Sequence, residues 1–118
     1  MTVFLLLWLA AAPERRNPEQ KFFEDRVAPI LTRRCVSCHN EELRNGGLSL
    51  LDRESLLAGG GRGPAVEPGK PEESVLIQAL RHEGELQMPP GPALPAKEVR
   101  VLREWVRRGA IWGCQKLR

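Results

Sequence analysis

Cys35-Val36-Ser37-Cys38-His39 places two cysteines three positions apart with a histidine directly after the second. That spacing is the attachment signature of a c-type haem. Each thiol can add across one vinyl group of a porphyrin, and a tight turn between the cysteines lets both reach one edge of the ring. His39 then follows as the proximal axial ligand of the iron. The same cysteine pair also suits a thioredoxin-like dithiol or half of a zinc site, so the surrounding chain has to decide between them.

Working backwards, apolar residues at Phe22, Phe23, Val27, Ile30 and Leu31 repeat with helical spacing and predict a helix from Glu19 to about Arg34 that feeds into the attachment turn. Pro29 interrupts that face and requires either a kink or a fresh helical start with Pro29 in the first turn. Residues 13–18 are polar with two prolines and read as a linker. Residues 1–12 carry no side-chain charge, and Val3–Ala12 is an apolar run ending in small residues, the pattern of a signal peptide. A basic residue ahead of the run is missing, and the run is too short for a bilayer, which needs about 20 apolar residues. Export to the periplasm or cell surface, with no transmembrane segment, is the expectation.

Working forwards, residues 40–47 are polar and turn-rich. Asp52 is a candidate N-cap for a short helix through Ala58, stopped by Gly59-Gly60-Gly61. No Lys-Ser or Lys-Thr pair follows these glycines, which excludes a P-loop. Pro71-Glu72-Glu73 opens a helix expected to end near His82 or Gly84, with Val75, Leu76, Ala79 and Leu80 on its apolar side. A loop over Glu85–Pro95 holds Met88 between the helices. The last helix spans about Ala96–Arg108, with Val99, Leu102, Trp105, Val106 and Ala110 as its buried stripe and Gly109 as its stop. No strand is expected.

Composition agrees with a cofactor-centred domain. The chain has 118 residues, 42% hydrophobic but only 5% aromatic, with no Tyr, ten Pro and eleven Gly. That is little material for a large core, and a buried haem would supply apolar surface. From Ala96 onward seven Lys or Arg stand against two Glu. A basic tail can bind nucleic acid, but here the charges share a helix with an apolar stripe, and a solvated helix face is the preferred reading.

Met1 leaves with the leader, so Met88 is the methionine available as a second axial ligand, on a loop stiffened by Pro89 and Pro90. His82, near a helix end, is the rival. Met88 follows His39 by 49 residues, enough chain to return on the opposite face of a haem. The proximal His39 should donate its second ring N–H to a carbonyl, for which Pro64 and Pro68 are the candidates. A tetrahedral zinc site from Cys35, Cys38, Cys114 and His82 is the competing arrangement, although Cys114 has no near cysteine neighbour. If Cys35 and Cys38 form thioethers, Cys114 remains a quiet thiol or pairs with another chain. Arg33 and Arg34, directly ahead of the turn, suggest a redox partner with an acidic surface; a solvated basic pair is the plain alternative.

Residues 22–112 resemble the planctomycete-type cytochrome c domain, a branch of the small class I cytochromes c. The resemblance is carried by Ala28-Pro29-Ile30-Leu31, by Arg34-Cys35-Val36-Ser37-Cys38-His39 and by Gly46-Gly47-Leu48-Ser49-Leu50. It continues through Val66-Glu67-Pro68-Gly69-Lys70-Pro71, Gln87-Met88-Pro89-Pro90 and Leu102-Arg103-Glu104-Trp105-Val106. It implies one haem c held through Cys35 and Cys38, with His39 and Met88 on the iron. It implies an all-α fold of three main helices plus a short one, in which the first and last helices cross. Pro95-Ala96 departs from it, since the family often has a Ser or Thr cap there. The expected organisation is a signal peptide at 1–12, a linker at 13–18, a cytochrome c domain at 19–112 and a tail at 113–118. The expected function is outer-sphere electron transfer by a monohaem cytochrome. No residue group resembles a catalytic acid, base or nucleophile. A haem sensor or the haem subunit of a larger exported enzyme is the alternative, and a zinc-stabilised binding module the more distant one.

Overall fold

The computed structural model describes residues 17–113 and 116–117. The expected signal peptide, residues 13–16 of the linker and Cys114 lie outside the described residues.

The first helical stretch opens one residue before its expected start. Asn17 caps α1 (Pro18–Phe22) by accepting from the Gln20 N–H at 2.8 Å, while the Gln20 side chain accepts from the Asn17 N–H at 3.4 Å. Two backbone donors that a helix start leaves unpaired are thus satisfied reciprocally, and Pro18 occupies a position where its missing N–H costs nothing. The chain continues through a π-helical turn, Phe23–Val27, into α2 (Ala28–Arg34). Pro29 accounts for the join. It cannot donate to the carbonyl four residues back, and its ring crowds that carbonyl. The wide turn directs the Ala28 N–H to the Phe23 carbonyl, five back, and α2 begins with Pro29 in its first turn.

Asp52 caps α3 (Arg53–Ala58) as its position suggests, its carboxylate accepting from the Ser55 N–H at 2.7 Å. Gly59, at φ +74°, ends the helix. The helix expected from Pro71 onward is divided instead. Pro71–Glu73 forms a single 3₁₀ turn and α4 covers only Val75–Leu80. Ser74 causes the division. Its fully buried hydroxyl donates to the Lys70 carbonyl at 2.9 Å and accepts from the Glu67 N–H at 2.9 Å, with its own backbone extended. A serine that bonds nearby backbone competes with helix continuation. Beyond α4, His82 takes a left-handed φ of 55°. The last helix, α5 (Ala96–Arg107), starts at Pro95 without a side-chain cap and ends one residue earlier than expected, before Gly109 at φ +106°. The fold is helical, and among the described residues only two isolated bridges, His39 with Arg44 and Gly60 with Gly63, are strand-like. Six residues each in α3 and α4 leave two long helical stretches and two short helices, rather than three main helices.

The two long stretches pack on each other through the π turn and α5. Phe23 is the contact: its ring centroid lies 4.2 Å from that of Trp112 and 5.8 Å from that of Trp105. Val27, Ile30, Leu31, Leu102 and Val106 complete this part of the core, all buried. The Trp105 ring N–H donates to the Ile111 carbonyl at 2.9 Å, so the indole is buried without an orphaned donor. On the outer side, Arg108 lies 4.3 Å above the Phe22 ring and pairs with Glu19 at 2.9 Å.

Two glycine loops cross at backbone distance. The Gly61 N–H donates to the Gly46 carbonyl at 2.8 Å, and a Cβ on Gly60 would lie 2.3 Å from that same oxygen. A Cβ on Gly61 would meet it only at 3.6 Å. Gly60→Ala should therefore force the loops apart and destabilise the protein by about 1–3 kcal/mol, the scale of overpacking. Gly61→Ala should be tolerated within about 0.5 kcal/mol, as for an ordinary surface substitution. Denaturant titration of the two variants checks this; equal midpoints would contradict the crossing.

Candidate functional site

The attachment turn grows directly out of α2. The N–H groups of Cys35 and Val36 both bond to the Leu31 carbonyl at 3.0 Å, and those of Cys38 and His39 return to the Cys35 carbonyl at 3.2 and 3.0 Å. This tight turn sets Cys35, Cys38 and His39 on one wall of a cavity. Asn40 secures its exit: its amide donates to the Val36 carbonyl at 2.8 Å, and its side-chain oxygen accepts from the Glu42 and Leu43 N–H groups at 2.9 and 2.7 Å. The chain then doubles back, with the Asn45 N–H on the Cys38 carbonyl and the Leu50 N–H on the His39 carbonyl.

That return fixes the imidazole. His39 Nδ1 lies 3.3 Å from the Leu48 carbonyl oxygen. A carbonyl only accepts, so Nδ1 carries the proton and Nε2 keeps its lone pair for a metal. The acceptor is therefore Leu48, not Pro64 or Pro68. The loop immediately after the turn folds back over the ring before the 62–70 loop can reach it. Leu48 sits in the Gly46-Gly47-Leu48 segment that carried the family resemblance, and that segment was the available signal for it.

The cavity is lined by residues drawn from Arg34 through Pro90 of the chain. Its walls are mostly aliphatic: Leu48, Leu50 and Ala65 from the central segment, Leu76, Ala79 and Leu80 from α4. Met88, Pro89 and Pro90 close another side. Met88 is held to α4 by its N–H, which donates to the Ala79 carbonyl at 3.0 Å, and the Met88–Pro89 bond is cis. The four residues singled out in the sequence, separated by up to 53 positions, thus share one apolar cavity. His82 does not line it; its Nε2 is buried elsewhere with no hydrogen-bond partner among the described residues.

The site fits a haem better than its rivals. Among the described residues no three His, Cys, Asp or Glu side chains come together to hold a bare metal ion. Burial pushes the Cys35 thiol up to about 11, with Cys38 and Glu98 adding to the shift and Arg34 opposing it. A reactive dithiol needs the opposite, a thiol lowered to roughly 3.5–7.5. An apolar cavity with a poised imidazole, a thioether and two thiols matches the donor set of a covalently held haem.

Arg33 and Arg34 prove to be tied down. Both bond to Glu98, at 3.1 and 3.2 Å, and this carboxylate is buried in the first turn of α5. One of the two charges expected to face an acidic partner is neutralised inside the molecule. The sequence carries no signal of this pairing, since an acid in a first helical turn is explained locally by the helix dipole. Arg103 and Arg107 of α5 are similarly engaged, with Glu72 and Glu104, and Arg108 at its C-cap pairs with Glu19. That is the pattern of a solvated helix face.

No helix among the described residues is long and apolar enough to cross a membrane. No curated protein and no solved structure matches the chain. Residues 35–92 match the family model for planctomycete cytochrome C. The match begins at Cys35 and runs through Met88, so it spans every cavity residue singled out above, and it identifies a planctomycete-type cytochrome c domain in this chain.

Proposed function

We propose that this protein is an exported monohaem c-type cytochrome that transfers electrons by an outer-sphere route and is not itself an enzyme. The observation that carries the reading is the convergence of Cys35, Cys38, His39 and Met88 on one apolar cavity. In this reading the thiols of Cys35 and Cys38 would hold the haem through thioethers, and Nε2 of His39 and the sulfur of Met88 would bind its iron. A haem held this way supplies a one-electron couple, and a His–Met ligand pair raises its potential. The chain's own contribution is positioning. The Leu48 carbonyl holds the His39 ring, the Ala79 carbonyl holds the Met88 backbone, and the aliphatic walls keep water from the iron. Redox proteins are the partners, and the Arg33–Glu98–Arg34 group beside the turn retains one net positive charge for an acidic surface.

Changing both Cys35 and Cys38 to Ala should yield a chain without haem and poorly folded, because a domain of this size has little core to spare. A stable, helical double variant purified without haem would contradict the reading. Axial ligation has its own test. Met88→Ala should abolish the weak sulfur-to-ferric-iron charge-transfer band and lower the reduction potential while haem stays attached. His82→Ala should leave both nearly unchanged. Survival of the band in Met88→Ala, or collapse of the potential in His82→Ala, would show that another group holds the sixth position.

A further inference from the structure

Residues 116 and 117 lie outside the stretch that matches the family model, yet they are fastened to the loop that follows the attachment turn. The Leu117 N–H donates to the Leu51 carbonyl at 2.7 Å. Its side chain is half-buried and packs against the hydrophobic core. Lys116 pairs with Glu41, in the loop just past His39. A third tie brings the chain to this place. Arg53, at the start of α3, donates to the carbonyls of Ala110 and Gly109 at 2.9 and 3.3 Å, which holds the exit of α5 beside the same loop.

The opposite side of that loop meets the imidazole. Leu48–Leu51 is joined to His39 by two bonds, the Leu50 N–H on the His39 carbonyl at 2.9 Å and the His39 ring on the Leu48 carbonyl at 3.3 Å. The segment is therefore held between His39 and Leu117. The ring bond lies just beyond the usual N–H···O range of roughly 2.7–3.2 Å, so a small outward movement of Leu48 would break it. The Lys116–Glu41 pair is exposed on both members and contributes little. The backbone bond and the apolar contact of Leu117 carry the fastening, and Leu51 is buried, where an acceptor stripped of its donor is costly.

Resting on the haem reading, we propose that the C-terminal segment is a strap and that Leu117 is a positioning residue for the proximal ligand. It acts through Leu51 and Leu48, holding the carbonyl that orients His39. Donation from the ring to that carbonyl raises the basicity of the ligand. With the strap released, His39 is a weaker donor to ferric iron, and the couple moves toward the ferrous form.

The test uses the full haem-loaded chain and the variants Leu117→Pro, Leu117→Val and Glu19→Gln. Proline lacks the N–H that meets Leu51, valine keeps it, and Glu19→Gln removes the tie to Arg108, which does not touch this loop. Each is stained for covalent haem after denaturation. Hydrogen exchange of the Leu50 N–H and the His39 ring N–H is then followed by NMR in the ferrous state, and the reduction potential is titrated. In Leu117→Pro both protons should exchange about fivefold faster, the factor that one lost hydrogen bond gives. Its ferrous–ferric ratio at a fixed applied potential should rise. Leu117→Val and Glu19→Gln should match the parent in both respects. If the proline variant does not fold, Leu117→Gly, which strips the apolar contact, is held to the same expectations. Parent-like exchange in the strap variant would overturn the proposal. So would equal acceleration in Glu19→Gln, which would mean that His39 opens only with the whole protein. Faster exchange at an unchanged potential would overturn it too, leaving Leu117 a stabilising contact alone. A parent chain without covalent haem fails at the staining step, and that outcome removes the functional reading and this proposal together.

Discussion

The hydrogen bond from His39 to the Leu48 carbonyl is the constraint on which the site depends. It selects one imidazole tautomer, orients the ring and leaves Nε2 as the metal-facing atom. It also requires the chain to reverse within nine residues, and the 39–50 segment is built for that reversal. Asn40 closes the exit of the attachment turn, and Gly46 and Gly47 adopt left-handed φ values of +68° and +78° at the bend. The Leu50 N–H then returns to the His39 carbonyl at 2.9 Å. Once Leu48 and Leu50 are placed, they become cavity wall, and the crossing of Gly46 with Gly60 and Gly61 brings the next loop to the rim.

The remaining structure holds this segment between two supports. On one side the Phe23, Trp105 and Trp112 rings join the N-terminal stretch to α5, and Glu98 adds a polar tie from α5 to Arg33 and Arg34 at the end of α2. On the other side α4 supplies four aliphatic wall residues and anchors Met88. Buried charge is used sparingly. Glu98 is the buried acid among the described residues, and it meets two guanidiniums that remain partly in water. That arrangement avoids the desolvation penalty of a fully buried pair.

Much of this was legible in the sequence, for local reasons. The attachment turn is written in five consecutive residues, and Met88 stands out because the chain offers no other internal methionine. Periodicity located the apolar faces of the first and last helices because each runs for several turns. The features missed depend on contacts between distant segments. Ser74 looked like a residue inside a helix, and only its burial against Lys70 and Glu67 turns it into a break. Glu98 stands in the first turn of α5, where the helix dipole alone would account for an acid, and its partners lie 64 and 65 positions away. The choice of Leu48 over Pro64 or Pro68 rests on a loop conformation set by glycines at left-handed φ, which spacing alone does not determine. The start at Pro18 was the exception: Asn17 and Gln20 already form the N-cap and N3 pattern of a capping box, and that signal was available from the residues alone.

The most direct measurement is the intact mass of the exported, purified and fully denatured chain, combined with the pyridine haemochrome spectrum of the same sample. The account predicts one haem per chain that survives denaturation, with a spectrum showing both vinyl groups saturated. A chain mass without haem, or a spectrum showing unsaturated vinyl groups, would contradict it.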